Sequence, residues 1–375
     1  MQKKKNLIIF GTRPEAIKMV SLIKEFKKCE EFETRVCVTA QHRQMLDQVL
    51  EFFEIVPDYD LNLMKHNQTL SSLTADILTE LKVVLDDFQP DFIYVHGDTT
   101  TSMAAAIAGF YAGAKICHVE AGLRTYNKLS PFPEEINRQL TGRLADYHFA
   151  PTVEAENNLI KENVKRHNIC VTGNTVIDAL FESVSRVNDI QNEEIGVLKT
   201  IIEPSKRLIL VTGHRRENHG QGFINICEAL KEIAYNFPDV QIIYPVHLNP
   251  NVQEPVKEIL SDIDNITLIS PLSYPAFVWL MMNSYLIISD SGGVQEEAPS
   301  LGKPVLLLRD TTERPEAVEA GTVIIVGTDK GKIVDEARSL LGDEKRYQKM
   351  ATLQNPYGDG KASIRIVEFI KKLAN

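Results

Sequence analysis

Three acidic residues in the first half of this chain stand where proton-transferring groups are found in α/β proteins. Asp98 follows the apolar run Phe92–His96, Glu120 follows the run Lys115–Val119, and Glu134 opens a helical pattern. Short apolar runs predict buried strands, and open parallel sheets bind their ligands beyond the carboxyl ends of the strands. Carboxylates at such positions are candidates for general acids and bases. Taken singly, each is also typical of a helix cap or a first helical turn.

Two cations accompany the start of the first predicted helix. The apolar run Leu7–Phe10 predicts a buried strand, Gly11 ends it, and Pro14 is typical of a helix start. Arg13 and Lys18 therefore lie near a helix N-terminus, where the helix dipole disfavours positive charge. Their presence predicts an anion there, and a helix N-terminus behind a strand is a good place for phosphate. The alternative is a surface helix with solvated charges.

Another group of polar residues follows predicted strands in the second half. His214 comes shortly after Leu208–Val211, and the turn Ser291-Gly292-Gly293 comes shortly after Tyr285–Ile288. A hydroxyl and two glycines at a strand-to-helix turn allow backbone N–H groups to approach phosphate oxygens. Glu296 and Glu297, one turn further on, are candidates for hydrogen bonding to ribose hydroxyls. His214 alone is also consistent with a solvated loop histidine.

The elements that must position these residues alternate between strand and helix throughout the chain. The predicted strands are Leu7–Phe10, Arg35–Thr39, Phe92–His96, Lys115–Val119, Tyr147–Ala150, Ile169–Val171, Leu208–Val211, Gln241–Pro245, Ile266–Leu268, Tyr285–Ile288, Val305–Leu308 and Val323–Val326. Apolar strands separated by helices predict parallel sheets covered on both faces, and two such sets predict two doubly wound α/β domains. We expect domains of residues 1–173 and 174–361, with a hinge near Gly173-Asn174-Thr175. The candidate side chains named above are expected to line a cleft between these domains.

Composition excludes several classes of protein. The 375 residues suit two domains, 43% of them are hydrophobic, and the net charge of −10 argues against nucleic acid as a partner. Five scattered cysteines without a CxxC pair argue against a disulfide scaffold or a zinc site. We also expect no membrane span and a cytoplasmic protein. The nucleotide fingerprints G-x-G-x-x-G after the first strand and G-x-x-x-x-G-K-[ST] are absent from the sequence. The acidic triplet Asp58-Tyr59-Asp60 is interpreted as a solvated loop.

Taken together, the motifs resemble those of the bacterial non-hydrolysing UDP-N-acetylglucosamine 2-epimerases, almost from end to end of the chain. The segments that carry the resemblance are Gly11-Thr12-Arg13-Pro14-Glu15-Ala16-Ile17-Lys18, His96-Gly97-Asp98-Thr99-Thr100-Thr101, His118-Val119-Glu120-Ala121-Gly122-Leu123-Arg124, Pro133-Glu134-Glu135-Ile136-Asn137-Arg138, Gly213-His214-Arg215-Arg216-Glu217-Asn218, Ser289-Asp290-Ser291-Gly292-Gly293-Val294-Gln295-Glu296-Glu297 and Arg309-Asp310-Thr311-Thr312-Glu313-Arg314-Pro315-Glu316. The resemblance implies a GT-B architecture of two Rossmann-like domains. It also implies that the last helix, within 362–375, packs back on the first domain.

The resemblance further implies a reaction and the residues that perform it. The reaction is the reversible interconversion of UDP-GlcNAc and UDP-ManNAc by anti elimination and re-addition of UDP, without cofactor or metal. By resemblance, Asp98, Glu120 and Glu134 are acid/base candidates, with their order of action left open, and His214 is also catalytic. The residues implied in substrate binding are Arg13, Lys18, Arg138, His214, Ser291, Gly292, Gly293, Glu297 and Arg314. Three carboxylates around one anionic substrate predict a raised pKa for one of them.

Members of this family in many bacteria bind a second, activating UDP-GlcNAc, and part of this chain resembles that region. The matching residues are Gln41, His42, Gln44 and His247, whereas Asn67 stands where some relatives carry a basic residue. The family also implies a homodimer. The alternatives are a hydrolysing epimerase that releases ManNAc, a GT-B glycosyltransferase, and a catalytically silent sugar-nucleotide sensor.

Overall fold

The computed structural model describes residues 3–40, 43–65 and 68–374 as two compact units. The first unit comprises residues 1–181 and 357–375, and the second comprises residues 182–356. In the first unit the elements are β1 (Lys4–Phe10), α1 (Arg13–Lys27), β2 (Phe32–Val38), α2 (Arg43–Phe52), β3 (Tyr59–Asp60), α3 (Leu70–Phe88), β4 (Phe92–His96), α4 (Thr100–Tyr111), β5 (Lys115–Val119), α5 (Glu134–Leu144), β6 (Tyr147–Ala150), α6 (Val153–Lys161), a short 3₁₀ helix (Arg166–Asn168), β7 (Ile169–Val171) and the start of α7 (Thr175–Arg186).

The first unit is built on a parallel sheet with the strand order β3-β2-β1-β4-β5-β6-β7. Leu7, Ile8, Ile9 and Phe10 of β1 are fully buried, because helices cover both faces of a sheet of this kind. Nearly continuous apolar strands are the sequence signature of that burial, so the interpretation of the apolar runs as parallel strands is confirmed.

The second unit repeats this plan with a parallel sheet in the order β10-β9-β8-β11-β12-β13. After the end of α7, its elements are α8 (Glu193–Ile201), β8 (Arg207–Thr212), a 3₁₀ helix (Arg216–Asn218), α9 (Gln221–Asn236), β9 (Val240–Pro245), α10 (Pro250–Leu260), β10 (Ile266–Ile269), α11 (Tyr274–Asn283), β11 (Leu286–Ser289), α12 (Gly292–Ser300), β12 (Val305–Leu307), α13 (Pro315–Glu319), β13 (Val323–Ile325), α14 (Lys330–Gly342) and α15 (Glu344–Ala351). Both sheets are doubly wound, as the sequence predicts.

The chain returns to the first unit with α16 (Ala362–Ala374). Phe369 of this helix packs edge-on against Tyr147 and Phe149 of β6. The Asp178 carboxylate of α7 accepts the backbone N–H groups of Ala362 and Ser363, which fixes the start of α16. The division between the units lies within α7 and before Tyr357, whereas the sequence places it after residue 173 and after residue 361. The hydrogen bonds between Asp178 and the start of α16 connect the first half of α7 to the first unit, so that half belongs to the first unit.

The acidic triplet at 58–60 is solvated as predicted, since Asp58 and Asp60 are exposed, but part of it is a strand and not a loop. Tyr59 and Asp60 form the edge strand β3, which pairs with β2, and the Asp58 carboxylate accepts the backbone N–H of Val36 at 2.8 Å. Only the loop assignment of Tyr59 and Asp60 was wrong, because an edge strand of two residues carries no apolar run. Among the residues that the structure describes, no helix is both long and apolar enough to cross a membrane.

Candidate active site

In each sheet, the predicted site residues lie at the carboxyl ends of the strands. The order of strands reverses beside β1 in the first sheet and beside β8 in the second. Ligands of doubly wound sheets bind at such a switch point, outside the carboxyl ends of the strands. In the first unit, Arg13 follows the end of β1 and Asp98 follows the end of β4. In the second unit, His214 follows the end of β8 and Ser291 follows the end of β11. Each unit therefore presents its candidate residues on both sides of a switch point.

Helix α1 begins where the sequence predicts, with Thr12 as its N-cap and Arg13, which is half-buried, as its first residue. The carboxylate at the helix start is a residue of the chain itself. The Oε2 atom of Glu15 accepts the backbone N–H groups of Gly11 at 3.1 Å and Thr12 at 2.8 Å. A carboxylate in the first turn satisfies N–H groups that have no partner within the helix and offsets the helix dipole.

The other oxygen of Glu15 ties this turn to the turn after β4. Its Oε1 atom accepts the hydroxyl groups of Thr99 at 2.7 Å and Ser102 at 3.2 Å. Burial raises the pKa of the Glu15 carboxyl, although the hydrogen bonds from Thr99, Thr12 and Gly11 oppose that rise. The loops on the two sides of the switch point are therefore held together by one buried carboxyl group.

Lys18 and Glu120 form a buried ion pair, in which Lys18 Nζ donates to Glu120 Oε2. The same oxygen accepts the Asn174 side-chain amide at 2.6 Å and lies 3.7 Å from Nε2 of His96. Glu120 itself has a φ of +59°, in the left-handed region that residues other than glycine rarely adopt. Strained backbone of this kind is concentrated at functional sites. An anion that pairs with Lys18 is thus the Glu120 side chain of the protein itself, and the positions of Arg13 and Lys18 in the sequence did not identify it.

Asp98 and Arg138 form another ion pair of the first unit. Arg138 Nη1 also lies 3.4 Å from Oε2 of the buried Glu135, and the Asn137 side chain donates to the Asp98 carbonyl at 2.9 Å. Burial raises the pKa of the Asp98 carboxyl, Arg138 opposes the rise, and the charges of Glu120 and Glu134 add to it. The expected raised pKa is present, with burial as its largest cause and the neighbouring carboxylates as a smaller one.

Glu134 differs from both of these acids. Its Oε2 atom is buried and accepts no hydrogen bond from the described part of the chain. A buried carboxylate oxygen without a partner is costly, and such groups in native proteins call for a functional explanation. The three acids thus have three environments, in which Asp98 is bound by arginine, Glu120 by lysine, and this oxygen of Glu134 by neither.

Two buried histidines lie close to these acids. Burial lowers the pKa of His96 to about 4 and that of His118 to about 3, so both rings are neutral at pH 7. The neutral His118 ring donates from Nε2 to the Gly97 carbonyl at 2.7 Å, since that oxygen can only accept. This hydrogen bond fixes the turn that carries Asp98.

In the second unit, a buried aspartate holds the turn after β8. The Oδ2 atom of Asp290 accepts the backbone N–H groups of His214 and Arg215, each at 2.7 Å. Its Oδ1 atom lies 3.4 Å from Nδ1 of His214. Burial lowers the pKa of the His214 ring, although the Asp290 charge opposes that shift. The His247 ring stacks on His214 with centroids 5.4 Å apart, so a residue assigned by resemblance to a second ligand site contacts one assigned to catalysis.

The glycine turn after β11 is packed against a cluster of charges. Ser291 occupies the N-cap position of α12, and a Cβ atom on Gly292 would lie 2.7 Å from Nη1 of Arg314. Arg314 donates to Glu296 and, at 2.7 Å, to Oε1 of Glu313. Burial would raise the pKa of Glu313, but Arg314 and Arg309 hold it at about 2. Gly292 therefore permits the close approach of Arg314, whose charge is balanced by carboxylates of the same unit.

Glu297 lies beside this turn. Its Oε1 atom accepts the Tyr274 hydroxyl at 2.9 Å, and a Cβ atom on Gly293 would lie 3.4 Å from its Oε2 atom. The residues proposed for phosphate and for ribose are thus neighbours on the first two turns of α12.

Comparison with known proteins identifies the family. The UDP-N-acetylglucosamine 2-epimerase family model matches residues 24–371. The Campylobacter jejuni UDP-N-acetylglucosamine 2-epimerase is 56% identical over 377 residues, covering 99% of this chain and 98% of its own length. The chain belongs to the UDP-N-acetylglucosamine 2-epimerase family.

Solved structures of this family agree with the fold. The Neisseria meningitidis UDP-GlcNAc 2-epimerase, in a crystal structure with UDP-GlcNAc, is 51% identical, with a TM-score of 0.91 over 98% of this chain and 100% of that one. The Methanocaldococcus jannaschii UDP-GlcNAc 2-epimerase, in complex with UDP-GlcNAc and UDP, is 34% identical, with a TM-score of 0.82 over 98% of this chain and 99% of that one. The GT-B type of architecture predicted for the two sheets is therefore confirmed.

Several residues that organise this epimerase-family site were not assigned from the sequence. Glu15 appears in the sequence analysis only as part of a matched segment, and no role was given to Asn174, His96 or Asp290. Asp290 lies two positions after the predicted strand Tyr285–Ile288, so its position was a usable signal, whereas the contact of Asn174 with Glu120 spans 54 positions and leaves no local signal. Of the residues assigned to a second ligand site, Gln41 and His42 lie outside the described residues, as do Asn67 and the side chain of Gln44.

Proposed function

We propose that this protein is a non-hydrolysing UDP-N-acetylglucosamine 2-epimerase that interconverts UDP-GlcNAc and UDP-ManNAc. The observation that carries the proposal is the grouping of Asp98, Glu120 and Glu134 in three different electrostatic environments at the switch point of one sheet. Titratable groups with contrasting environments are typical of acid/base pairs in enzymes. The similar proteins described above are UDP-GlcNAc 2-epimerases, which supports this choice of substrate.

The chemistry requires two proton transfers at C2. One carboxylate accepts the C2 proton while the C1–O bond breaks, so that UDP leaves with the bonding electron pair and a 2-acetamidoglucal forms. UDP then adds back to C1 as a second acid delivers a proton to the other face of C2. A general base and a general acid on opposite faces are therefore needed, and Asp98, Glu120 and Glu134 are our candidates.

We assign binding of the leaving UDP to residues outside this trio of acids. Arg13 and His214, together with the turn at Ser291, bind the diphosphate, and Glu297 binds the ribose. Lys18, Arg138 and Arg314 act through the carboxylates with which they pair. Donors that are already oriented before reaction stabilise the charge that develops on departing UDP.

The test is incubation with UDP-GlcNAc in D₂O, followed by NMR. The proposal expects UDP-ManNAc to appear with deuterium at C2, because the proton is exchanged with solvent at the carboxylate. Free ManNAc would instead show a hydrolysing epimerase. An unchanged UDP-GlcNAc spectrum would leave the transferase or the sensor and refute the proposal.

We further infer that a second UDP-GlcNAc activates the enzyme. The support is the resemblance of the region around residues 41–44 together with the stacking of His247 on His214, through which a ligand at His247 would reach the catalytic histidine. A sigmoidal dependence of rate on UDP-GlcNAc, and no reaction of UDP-ManNAc alone, are expected. Hyperbolic kinetics in both directions would refute this part.

The remaining family properties are also proposed for this chain. We infer a homodimer acting in the cytoplasm and supplying ManNAc to cell-surface polysaccharide. Light scattering after size exclusion tests the dimer, and a monomeric mass would contradict it. Loss of ManNAc from surface polysaccharide on deletion of the coding sequence tests the role, and an unchanged polysaccharide would contradict it.

A further inference from the structure

Asn174 lies between β7 and α7 and reaches the carboxylate of Glu120. Its side chain is buried, and Nδ2 donates to Glu120 Oε2 at 2.6 Å. The two residues are far apart in the sequence, so the contact is made by the fold. None of the roles proposed above involves Asn174.

The orientation of the Asn174 amide is set by a second hydrogen bond. Its Oδ1 atom accepts the backbone N–H of Val176 at 3.1 Å, so it acts as a cap at the start of α7. Exchanging the amide oxygen and nitrogen would direct the NH₂ group at this N–H and the oxygen at the Glu120 carboxylate. Both contacts would then be repulsive, which leaves one orientation for the amide.

The backbone at this point is also anchored. The Asn174 N–H donates to the Tyr357 carbonyl at 2.7 Å, where the chain returns from the second unit. Gly173 has a φ of +85°, and a Cβ atom there would lie 3.2 Å from the Cα atom of Gly358. The two glycines therefore allow the backbone segments around residues 173 and 358 to contact each other, and this contact anchors the backbone of Asn174.

Glu120 is thus enclosed by groups from several elements. Lys18 of α1 and Asn174 both donate to Oε2, His96 of β4 lies 3.7 Å away, and Asp98 interacts with the carboxylate through space. The other oxygen, Oε1, lies on the side of Gly97, next to the turn that carries Asp98. A lysine on a flexible stem attracts a carboxylate without fixing the plane of the carboxylate group. A rigidly held amide fixes both the position and the plane of that group.

We propose that Asn174 is a positioning residue of the epimerase reaction, which holds the Glu120 carboxylate so that Oε1 faces the substrate. The proposal rests on the proposed function, since Glu120 needs a fixed orientation only if it takes part in proton transfer. A small misplacement of a reacting group costs rate much more than it costs binding.

The test compares Asn174→Asp and Asn174→Ser with the unaltered enzyme. Aspartate and serine both cap helices as well as asparagine does, so α7 keeps its start, but neither donates to Glu120 as the amide does. We expect kcat to fall about 10- to 100-fold in both variants with KM changed less than about twofold. In Asn174→Asp alone, the added carboxylate should move the acidic limb of the pH–kcat profile upward by about one pH unit.

Asn192→Asp is the matched control. Asn192 caps α8 through the same kind of hydrogen bond, to the N–H of Ile195 at 3.0 Å, and it belongs to the second unit. This variant should keep the kcat and pH profile of the unaltered enzyme, and circular dichroism should show all variants folded. Folded Asn174 variants with unchanged kcat and pH profile would overturn the proposal. If the unaltered enzyme fails to incorporate deuterium at C2, the proposed function fails instead, so the two failures are distinguishable.

Discussion

Replacing Glu15 by alanine should destabilise the loops of the first unit that meet at the switch point. The Glu15 carboxyl accepts two backbone N–H groups and the hydroxyls of Thr12, Thr99 and Ser102, and it is 2% exposed. Each buried N–H left without a partner costs about 1–3 kcal/mol, so the two together cost about 2–6 kcal/mol. The hydroxyls can rotate to other acceptors, and loss of a buried charge offsets part of the cost. We therefore expect about 3 kcal/mol.

Hydrogen exchange measured by mass spectrometry on a peptide spanning residues 7–18 tests this value. A loss of about 3 kcal/mol corresponds to about 100-fold faster exchange of the Gly11 and Thr12 amides in Glu15→Ala. Glu25→Ala is the control, because Glu25 lies on the same helix and its carboxylate pairs with the exposed Lys28. It should change exchange less than about fivefold, since exposed pairs contribute at most about 1 kcal/mol. Equal exchange in the two variants would refute this account of Glu15.

The pH dependence of Glu15→Gln adds a second check. Burial is the chief cause that raises the folded pKa of Glu15 above its ordinary value. The stability associated with this group is therefore fully present below the unfolded pKa and is lost as pH rises through the folded pKa. Glutamine does not ionise, so Glu15→Gln should gain on the unaltered protein as pH rises through that window in urea unfolding. A difference that is constant with pH would contradict the burial argument.

Three further predictions concern turnover and binding. Asp98→Asn and Glu120→Gln should each lower kcat by about 10²-fold or more while calorimetry still shows UDP binding, and near-normal turnover would remove that residue from proton transfer. His214→Ala should weaken UDP binding as well as turnover, because the Asp290-held turn presents this ring, and unchanged UDP affinity would contradict that assignment. Arg13→Ala should reduce kcat far more than the unfolding midpoint, since its half-buried side chain lies at the helix start beside the switch point; a large drop in the midpoint with normal kcat would reverse the interpretation.

The strands were predictable because their burial is written into local composition. Phe92–His96 and Lys115–Val119 have the predicted bounds, as each is an apolar run ended by a turn residue. The start of α1 was predictable from Pro14 for the same reason, because proline restricts φ locally. The edge strand Tyr59–Asp60 was missed, since pairing with β2 and not an apolar run defines it.

Some members of the candidate site were predictable from the sequence. Chain order and strand ends placed Asp98, Glu120 and His214 at carboxyl edges, because parallel strands bring their ends together. Which charges compensate one another was not predictable. Lys18 pairs with a residue 102 positions away and Arg138 with one 40 positions away, and no local pattern encodes such a choice.

The sequence by itself determined the fold class, the ends of most strands and the residue types available there, because helix and strand periodicity, turn residues and burial are local properties. Only the tertiary structure decided that Glu15 is the carboxylate that closes the start of α1, that Lys18 binds Glu120, and that Asn174 donates to the same carboxylate oxygen. The physical reason is that electrostatic and hydrogen-bond partners are chosen by distance in space. Distances of about 3 Å between groups on different strands and helices exist only after the sheet has brought their ends together.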